Sequence, residues 1–144
     1  MNNMKLNEYQ QQLQICKMQI RTLEKLRKQQ ATIESQIKHT EVDIEKYEQD
    51  LKNARKKLNK LEGFSFVNLF RTWTGKQQEL LEERMDVIAT KELKLIEAQL
   101  MHEDLKDDLV DTIYKINAIN EPYLVDQIKQ LEQKIELYYI ANYP

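Results

Sequence analysis

The chain has 144 residues, 32% of them charged, but only two glycines and two prolines. With a mean hydropathy of −0.73, this composition is typical of long helices and coiled coils and argues against a compact globule. No apolar run approaches the roughly 18 residues of a membrane-spanning helix, and residues 1–14 lack the apolar core of a signal peptide.

The net charge of −2 conceals two halves of opposite sign. Residues 1–62 carry 13 basic and 9 acidic side chains, whereas residues 76–144 carry 8 basic and 15 acidic ones. Neither half has a run of like charge without intervening apolar residues, which favours pairing of the two halves over a nucleic-acid-binding arm or an acidic tail. The single cysteine, Cys16, cannot form an internal disulfide and indicates a reducing, cytoplasmic environment.

The first predicted element is a coiled-coil helix over residues 4–61. Its apolar residues recur at alternating three- and four-residue spacings, the pattern of a heptad repeat. The stripe is centred on Tyr9, Cys16, Leu23, Gln30, Ile37, Ile44, Leu51 and Leu58. The flanking apolar positions change side near residues 20–26, and we expect looser packing at this phase shift.

The second predicted element is an aromatic tip over residues 62–75. Gly63 suits the left-handed residue that ends a helix, and Thr74 with Gln77 fits a capping box for the next one. The predicted interaction residues of the tip are Phe64, Phe66, Leu69, Phe70 and Trp73. These side chains either plug the end of the coiled coil, which we favour because two helices have little other core, or form a knob for a protein or a membrane.

A longer pattern surrounds the tip: Leu61-Glu62-Gly63-Phe64-Ser65-Phe66, Asn68-Leu69-Phe70 and Gly75-Lys76, followed by Glu79, Leu81, Glu82, Ala89 and Lys91. It resembles the central segment of a set of uncharacterised bacterial coiled-coil proteins over about residues 45–100. The resemblance implies a helical hairpin and no known activity. A bacterial or phage origin also agrees with a composition rich in Lys, Ile, Asn, Gln and Tyr.

A second, shorter pattern is Trp73-Thr74-Gly75 between two helices. It is similar to the W-x-G turn of small secreted helical-hairpin proteins, which would imply export. Those proteins carry a tyrosine followed four residues later by an acidic residue after the second helix, whereas Tyr123 here is followed by Gln127.

The third predicted element is a second helical arm over residues 76–141. Its seam is predicted at Leu81, Met85, Ile88, Leu95, His102, Leu105, Leu109, Ile113, Ile116 and Ile119. Pro122 has two interpretations. It either kinks a continuous arm, which we favour because the two arms then match in length, or it lies in the first turn of a separate third helix that is capped by Asn120 and folds back.

The predicted fold is therefore all-α: one domain over residues 1–144, a long antiparallel coiled-coil helical hairpin. The apolar layers of the two arms coincide when the numbers of paired residues sum to about 139, which sets Leu51 opposite Ile88 and Ile44 opposite Leu95. This register also sets the basic cluster Lys52, Arg55, Lys56, Lys57 and Lys60 beside the acidic cluster Glu79, Glu82, Glu83 and Asp86.

The sequence predicts no catalytic, metal or cofactor site. His102 is followed by a group of acidic residues, some of them four residues apart on the helix. Hard metal cations usually draw their ligands from more than one element, so we interpret this group as a solvated helix face. His102 and Cys16 lie on the predicted seam, and a coiled coil offers no cleft for catalysis. No nucleic-acid partner is expected, because the basic cluster is matched by acids across the seam.

The apolar surface of the second arm is wider than one partner helix can cover, which predicts self-association. The stripe lies one position round from the seam and consists of Ala89, Leu93, Ile96 and Leu100. Two hairpins packed on these faces would bury it as a homodimer, although a third helix that folds back after Pro122 would cover it instead.

The predicted function is a non-enzymatic interaction or scaffold protein that docks a protein partner through its surface or its tip. Two alternatives use the tip aromatics. One is a membrane-active protein that inserts them into a bilayer, and the other is an exported hairpin.

Overall fold

The computed structural model describes the backbone of residues 2–68 and 75–143 and the side chains of residues 5–60 and 78–143. Helix α1 spans Asn2–Asn68, α2 spans Gly75–Asn117 and α3 spans Glu121–Asn142. Of the described residues 97% are helical and none is in a strand. The prediction of an all-α helical hairpin is confirmed.

The contacts of the chain group it into two compact units. Unit 1 combines Met1–Ile33 with Asp108–Pro144, and unit 2 is Glu34–Asp107. In each unit a segment of α1 packs against a segment of the second arm. That residues 1–144 form a single domain stays a prediction.

Helix α1 continues past the boundary predicted at residue 61. It extends to Asn68, so Gly63 lies inside a helix, and no glycine of the described residues has a positive φ. The prediction that Gly63 ends the helix is wrong, because glycine costs a helix interior only about 1 kcal/mol and the continuing backbone hydrogen bonds offset it. The side chains of the five predicted tip residues Phe64, Phe66, Leu69, Phe70 and Trp73 lie outside the described residues, as does Thr74.

The second arm is interrupted between Asn117 and Glu121. The Asn120 side chain caps α3, because its Oδ1 accepts a hydrogen bond from the Tyr123 backbone N–H at 3.2 Å. Pro122 lies in the first turn, where a missing N–H costs no helical bond. The helix start at Asn120 is therefore the one that the alternative predicted. The second arm bends at residues 118–120 without reversing, as the favoured kink required.

Helix α3 does not fold back, because it continues along α1 in the same antiparallel sense as α2. Arg27 of α1 contacts Glu121 at the start of α3, and Lys17 contacts Glu132 further along at 3.8 Å. Nearer the N-terminus of α1, the Lys134 ammonium lies 5.5 Å from the centre of the Tyr9 ring, a cation–π geometry. The core of unit 1 lies between these contacts, with Leu124 and Leu131 buried.

The phase shift predicted in α1 is present in its burial pattern. The half-buried and buried positions pass from Ile20 to Leu23, Leu26 and Gln30, with two successive three-residue steps. Leu23 is only 1% exposed, and the looser packing expected around it stays a prediction. Leu23 shares one open groove, of about 400 Å³, with Ile119 and Asn120 of the interruption.

In unit 2 the contacts between the arms are displaced from the predicted register by four to eight residues. The numbers of Glu41 and His102 sum to 143, and those of Arg55 and Glu92, whose side chains approach to 3.0 Å, sum to 147, against the predicted 139. Leu51 lines a groove with Leu95. A heptad seam repeats every seven residues, so apolar layers alone cannot distinguish registers that differ by one heptad. The remaining signal for the register is the pairing of exposed charges, and each such pair stabilises the fold by only about 0–1 kcal/mol.

The seam of α2 also differs from the prediction at several positions. Met85 is 53% exposed, and the neighbouring Arg84 takes the inward position together with Lys91, Ala98 and Thr112. Long basic side chains can cover apolar surface with their aliphatic stems. The buried Thr112 hydroxyl donates to the Asp108 carbonyl at 2.8 Å, so its burial leaves no hydroxyl donor unpaired.

Replacing Arg84 by Met is expected to raise the free energy of unfolding by about 1 kcal/mol. The Arg84 Nε atom is buried without a hydrogen-bond partner among the described residues, and methionine keeps the apolar stem while removing that atom. Thermal unfolding followed by circular dichroism measures the change. Arg55→Met is the matched control and should not stabilise, because Arg55 is exposed and paired with Glu92. A lower melting temperature for Arg84→Met would show that the guanidinium has a stabilising partner.

The Arg27–Glu121 pair lowers the pKa of a carboxyl group in unit 1. Arg27 donates to both Glu121 carboxylate oxygens, at 2.6 and 3.3 Å, and these hydrogen bonds together with the guanidinium charge lower the pKa of Glu121. A lowered pKa contributes stability that is present above the unfolded-state pKa and is lost as the pH falls through the folded one. In an NMR titration we expect the Glu121 midpoint to rise in Arg27→Gln and not in Arg21→Gln. Equal midpoints in all three proteins would contradict the pairing.

Candidate protein-docking surface

Exposed apolar side chains are concentrated on the second arm. Among the described residues, α1 exposes only three large apolar side chains, Ile15, Met18 and Val42. Helix α2 exposes many more: Leu80, Met85, Val87, Leu93, Ile96, Leu100, Met101, Val110 and Tyr114. Contiguous exposed apolar surface is costly in water and commonly marks an interaction site. The outward side of α2 is therefore the candidate docking surface.

The four residues predicted for self-association lie together on this side. Leu93, Ile96 and Leu100 are 56%, 51% and 60% exposed, and Ala89 is also exposed. Their four-, three- and four-residue spacings place them on one face of α2, away from the half-buried seam. The contacts of helix α3 with α1 lie within unit 1. That the stripe binds a second copy stays a prediction.

The stripe belongs to a longer line that the sequence analysis did not recognise. Nine exposed positions of unit 2 follow the same alternating three- and four-residue spacing, and we call them the outer line. They are Glu79, Glu82, Asp86, Ala89, Leu93, Ile96, Leu100, Glu103 and Asp107. The line has acidic residues on both sides of an apolar centre. Its spacing was visible in the sequence, but a search restricted to apolar residues finds only its middle.

The outer line carries no positive charge. Among the described residues of α2, Arg84 and Lys91 lie at the seam and are half-buried, while the other lysines lie beside the line rather than on it. Only one acid of the line has a basic atom within 4.0 Å among the described side chains, namely Glu103, 3.9 Å from Lys106 Nζ. The carboxylates of Glu82, Asp86 and Asp107 remain open to a basic partner.

The outward side of α1 in unit 2 has the opposite charge. Its exposed lysines share the heptad positions that face away from α2, and they are Lys38, Lys46, Lys52, Lys56 and Lys60. The prediction that the basic cluster is neutralised across the seam is wrong except at Arg55, which reaches Glu92. Side chains on the far side of a helix cannot reach acids across the seam.

Comparison with protein-family models, curated proteins and solved structures finds no match for this chain. None of the described helices contains an apolar stretch long enough to span a bilayer.

The other candidate residues lie apart from the outer line. His102 is half-buried at the seam, where its Nε2 lies 3.2 Å from Glu41 Oε1. Cys16 is half-buried with a free thiol. Within residues 5–60 and 78–143, no group of three or more His, Cys, Asp or Glu side chains has the arrangement of a metal site.

Proposed function

We propose that this protein is a non-enzymatic coiled-coil scaffold that docks a protein partner through the outer line of α2. The observation that carries the proposal is the exposure of Leu93, Ile96 and Leu100 in one line on the side of α2 that α1 does not cover. Exposing more than half of each side chain is unfavourable in water, and a partner helix would remove the cost. The acidic residues at both ends would orient that partner.

Several features support an interaction role over catalysis or nucleic-acid binding. The grooves of the described helices are open and lie between only two helices, whereas catalysis needs an enclosed, rigid cleft, so we propose no cofactor. The basic side of α1 exposes no Phe, Tyr or Trp side chain within its described residues, and base stacking usually uses one. A single free thiol, Cys16, supports a reducing, cytoplasmic setting.

Two alternatives depend on the tip rather than on α2. A membrane-active or exported hairpin would use Phe64, Phe66, Phe70 and Trp73, whose side chains lie outside the described residues. A blue shift of Trp73 fluorescence on adding liposomes would favour the membrane alternative, and secretion into the medium would favour export. The exposed stripe supports neither, so the scaffold is the function that we propose.

Photo-cross-linking in the native host tests the scaffold proposal. A photoreactive residue at Leu93 should give a discrete adduct with one host protein, and the added change Ile96→Glu should abolish it. The control carries the same photoreactive residue at Leu137, which is 64% exposed on α3 and lies off the outer line. Failure to form an adduct from Leu93, or the same adduct from Leu137, would overturn docking through α2.

A further inference from the structure

The arrangement of charge along the outer line restricts what can bind it. Proceeding along α2, acids at Glu82 and Asp86 precede the apolar centre, and acids at Glu103 and Asp107 follow it. The line is thus nearly symmetric about its centre: acidic, apolar, acidic. Any occupant that buries the centre brings its own ends beside these carboxylates.

A second copy that binds through the same line does not fit this pattern. In an antiparallel pair of α2 helices centred on the stripe, Asp86 faces Glu103 and Glu82 faces Asp107. In a parallel pair each acid faces its own counterpart. Both arrangements juxtapose like charges, which costs affinity and is a common device against unwanted pairing.

A second copy that binds through its basic α1 surface matches the charge of the outer line but not its apolar centre. The lysine-rich side of α1 between residues 38 and 60 exposes one large apolar side chain, Val42. Leu93, Ile96 and Leu100 would then meet mostly lysine side chains, and their apolar area would stay poorly covered. An occupant therefore needs both an apolar centre and basic ends.

We infer that the outer line of α2 binds an amphipathic helix of a partner protein that has an apolar centre and Lys or Arg at both ends. The inference rests on the proposed function and names the chemistry of its partner. From residue 82 to residue 107 the line is about 38 Å long, at 1.5 Å per residue. The matching partner helix has about 25 residues, with apolar side chains in its middle turns. An anionic membrane is not the occupant, since its surface would repel these carboxylates.

Binding of two synthetic helical peptides to the full chain tests the inference. Both peptides have 25 residues and the same central leucine stripe, and they differ in carrying either lysines or glutamates at both ends. In fluorescence anisotropy we expect the lysine-ended peptide to bind at least tenfold more tightly, and its affinity to fall as salt is added. Equal affinity for the two peptides would overturn the inference.

Matched variants separate recognition of the outer line from general attraction to an acidic protein. Leu93→Gln with Ile96→Gln should weaken binding of the lysine-ended peptide at least tenfold, and Asp86→Asn with Glu103→Gln should weaken it and reduce its salt dependence. The control Leu137→Gln with Ile140→Gln alters equally exposed apolar residues of α3 and should leave the affinity unchanged. Circular dichroism checks that all variants keep the helical content. An unchanged affinity of the Leu93→Gln, Ile96→Gln variant for the lysine-ended peptide would refute the inference.

Self-association is the competing outcome. If sedimentation shows a dimer that Leu93→Gln with Ile96→Gln dissociates, the occupant is a second copy and the inference is wrong. If photo-cross-linking at Leu93 captures a host protein but the lysine-ended peptide does not bind, docking through α2 survives and the assigned partner chemistry fails.

Discussion

Replacing Leu23 by Ala is expected to lower the free energy of unfolding by about 3 kcal/mol. Leu23 is 1% exposed and is the most buried large side chain among the described residues. The groove around it combines the helical residue Ile116 with the irregular residues Ile119 and Asn120. Backbone in a turn held by a cap relaxes poorly into a vacated space, so a cavity should remain.

Urea unfolding followed by circular dichroism measures this loss, with Leu137→Ala as the control. Leu137 is 64% exposed, so the same truncation there should change the free energy of unfolding by less than about 0.5 kcal/mol. Equal effects of the two substitutions would show that Leu23 is not enclosed by the interruption at residues 118–120.

A disulfide between cysteines placed at Leu51 and Leu95 is expected to form readily and to stabilise unit 2 by about 4 kcal/mol. The two side chains line the same groove, and closing the long chain segment between them restricts the unfolded state. The native Cys16 should be replaced by Ala so that only one pair can form. Mobility on non-reducing gels and the melting temperature with and without reductant report the cross-link.

The control is the pair that the sequence predicted, with cysteines at Leu51 and Ile88. Ile88 lies one heptad away from Leu95, about 10 Å along the helix, so this disulfide should form slowly and should not stabilise the fold. Efficient cross-linking of Leu51 with Ile88 and not with Leu95 would restore the predicted register and contradict the structure.

Local sequence signals predicted the fold class and the cap of α3 more reliably than they predicted long-range pairing. Asn120 followed by Pro122 is a helix-start signal with a specific hydrogen bond, and the structure forms that bond at 3.2 Å. The comparison of arm lengths nevertheless favoured the kink. Length indicates that an arm is long enough, but it does not indicate whether the backbone is continuous.

Two predictions are wrong or incomplete for the same reason, because they use apolarity as the only signal of where a residue lies on the helix. Met85 was assigned to the seam because it is apolar, although the spacing selects Arg84, whose stem can lie inward. The outer line was recognised only at its apolar middle, although Asp86 and Glu103 continue the same spacing. The four stripe residues lie on one exposed face, and their binding of a second copy stays a prediction, as does the role of the tip, whose side chains lie outside the described residues.

Helix α2 carries two lines of equal spacing on nearly opposite sides: the seam toward α1, and the outer line away from it. A partner helix can therefore join as a third member of a layer without separating the first two. No hairpin contact has to break before association, so the association rate should lie in the ordinary range for rigid docking, about 10⁵–10⁷ M⁻¹s⁻¹. Selection for a new partner could then alter the outer line while the contacts that fold the hairpin stay unchanged.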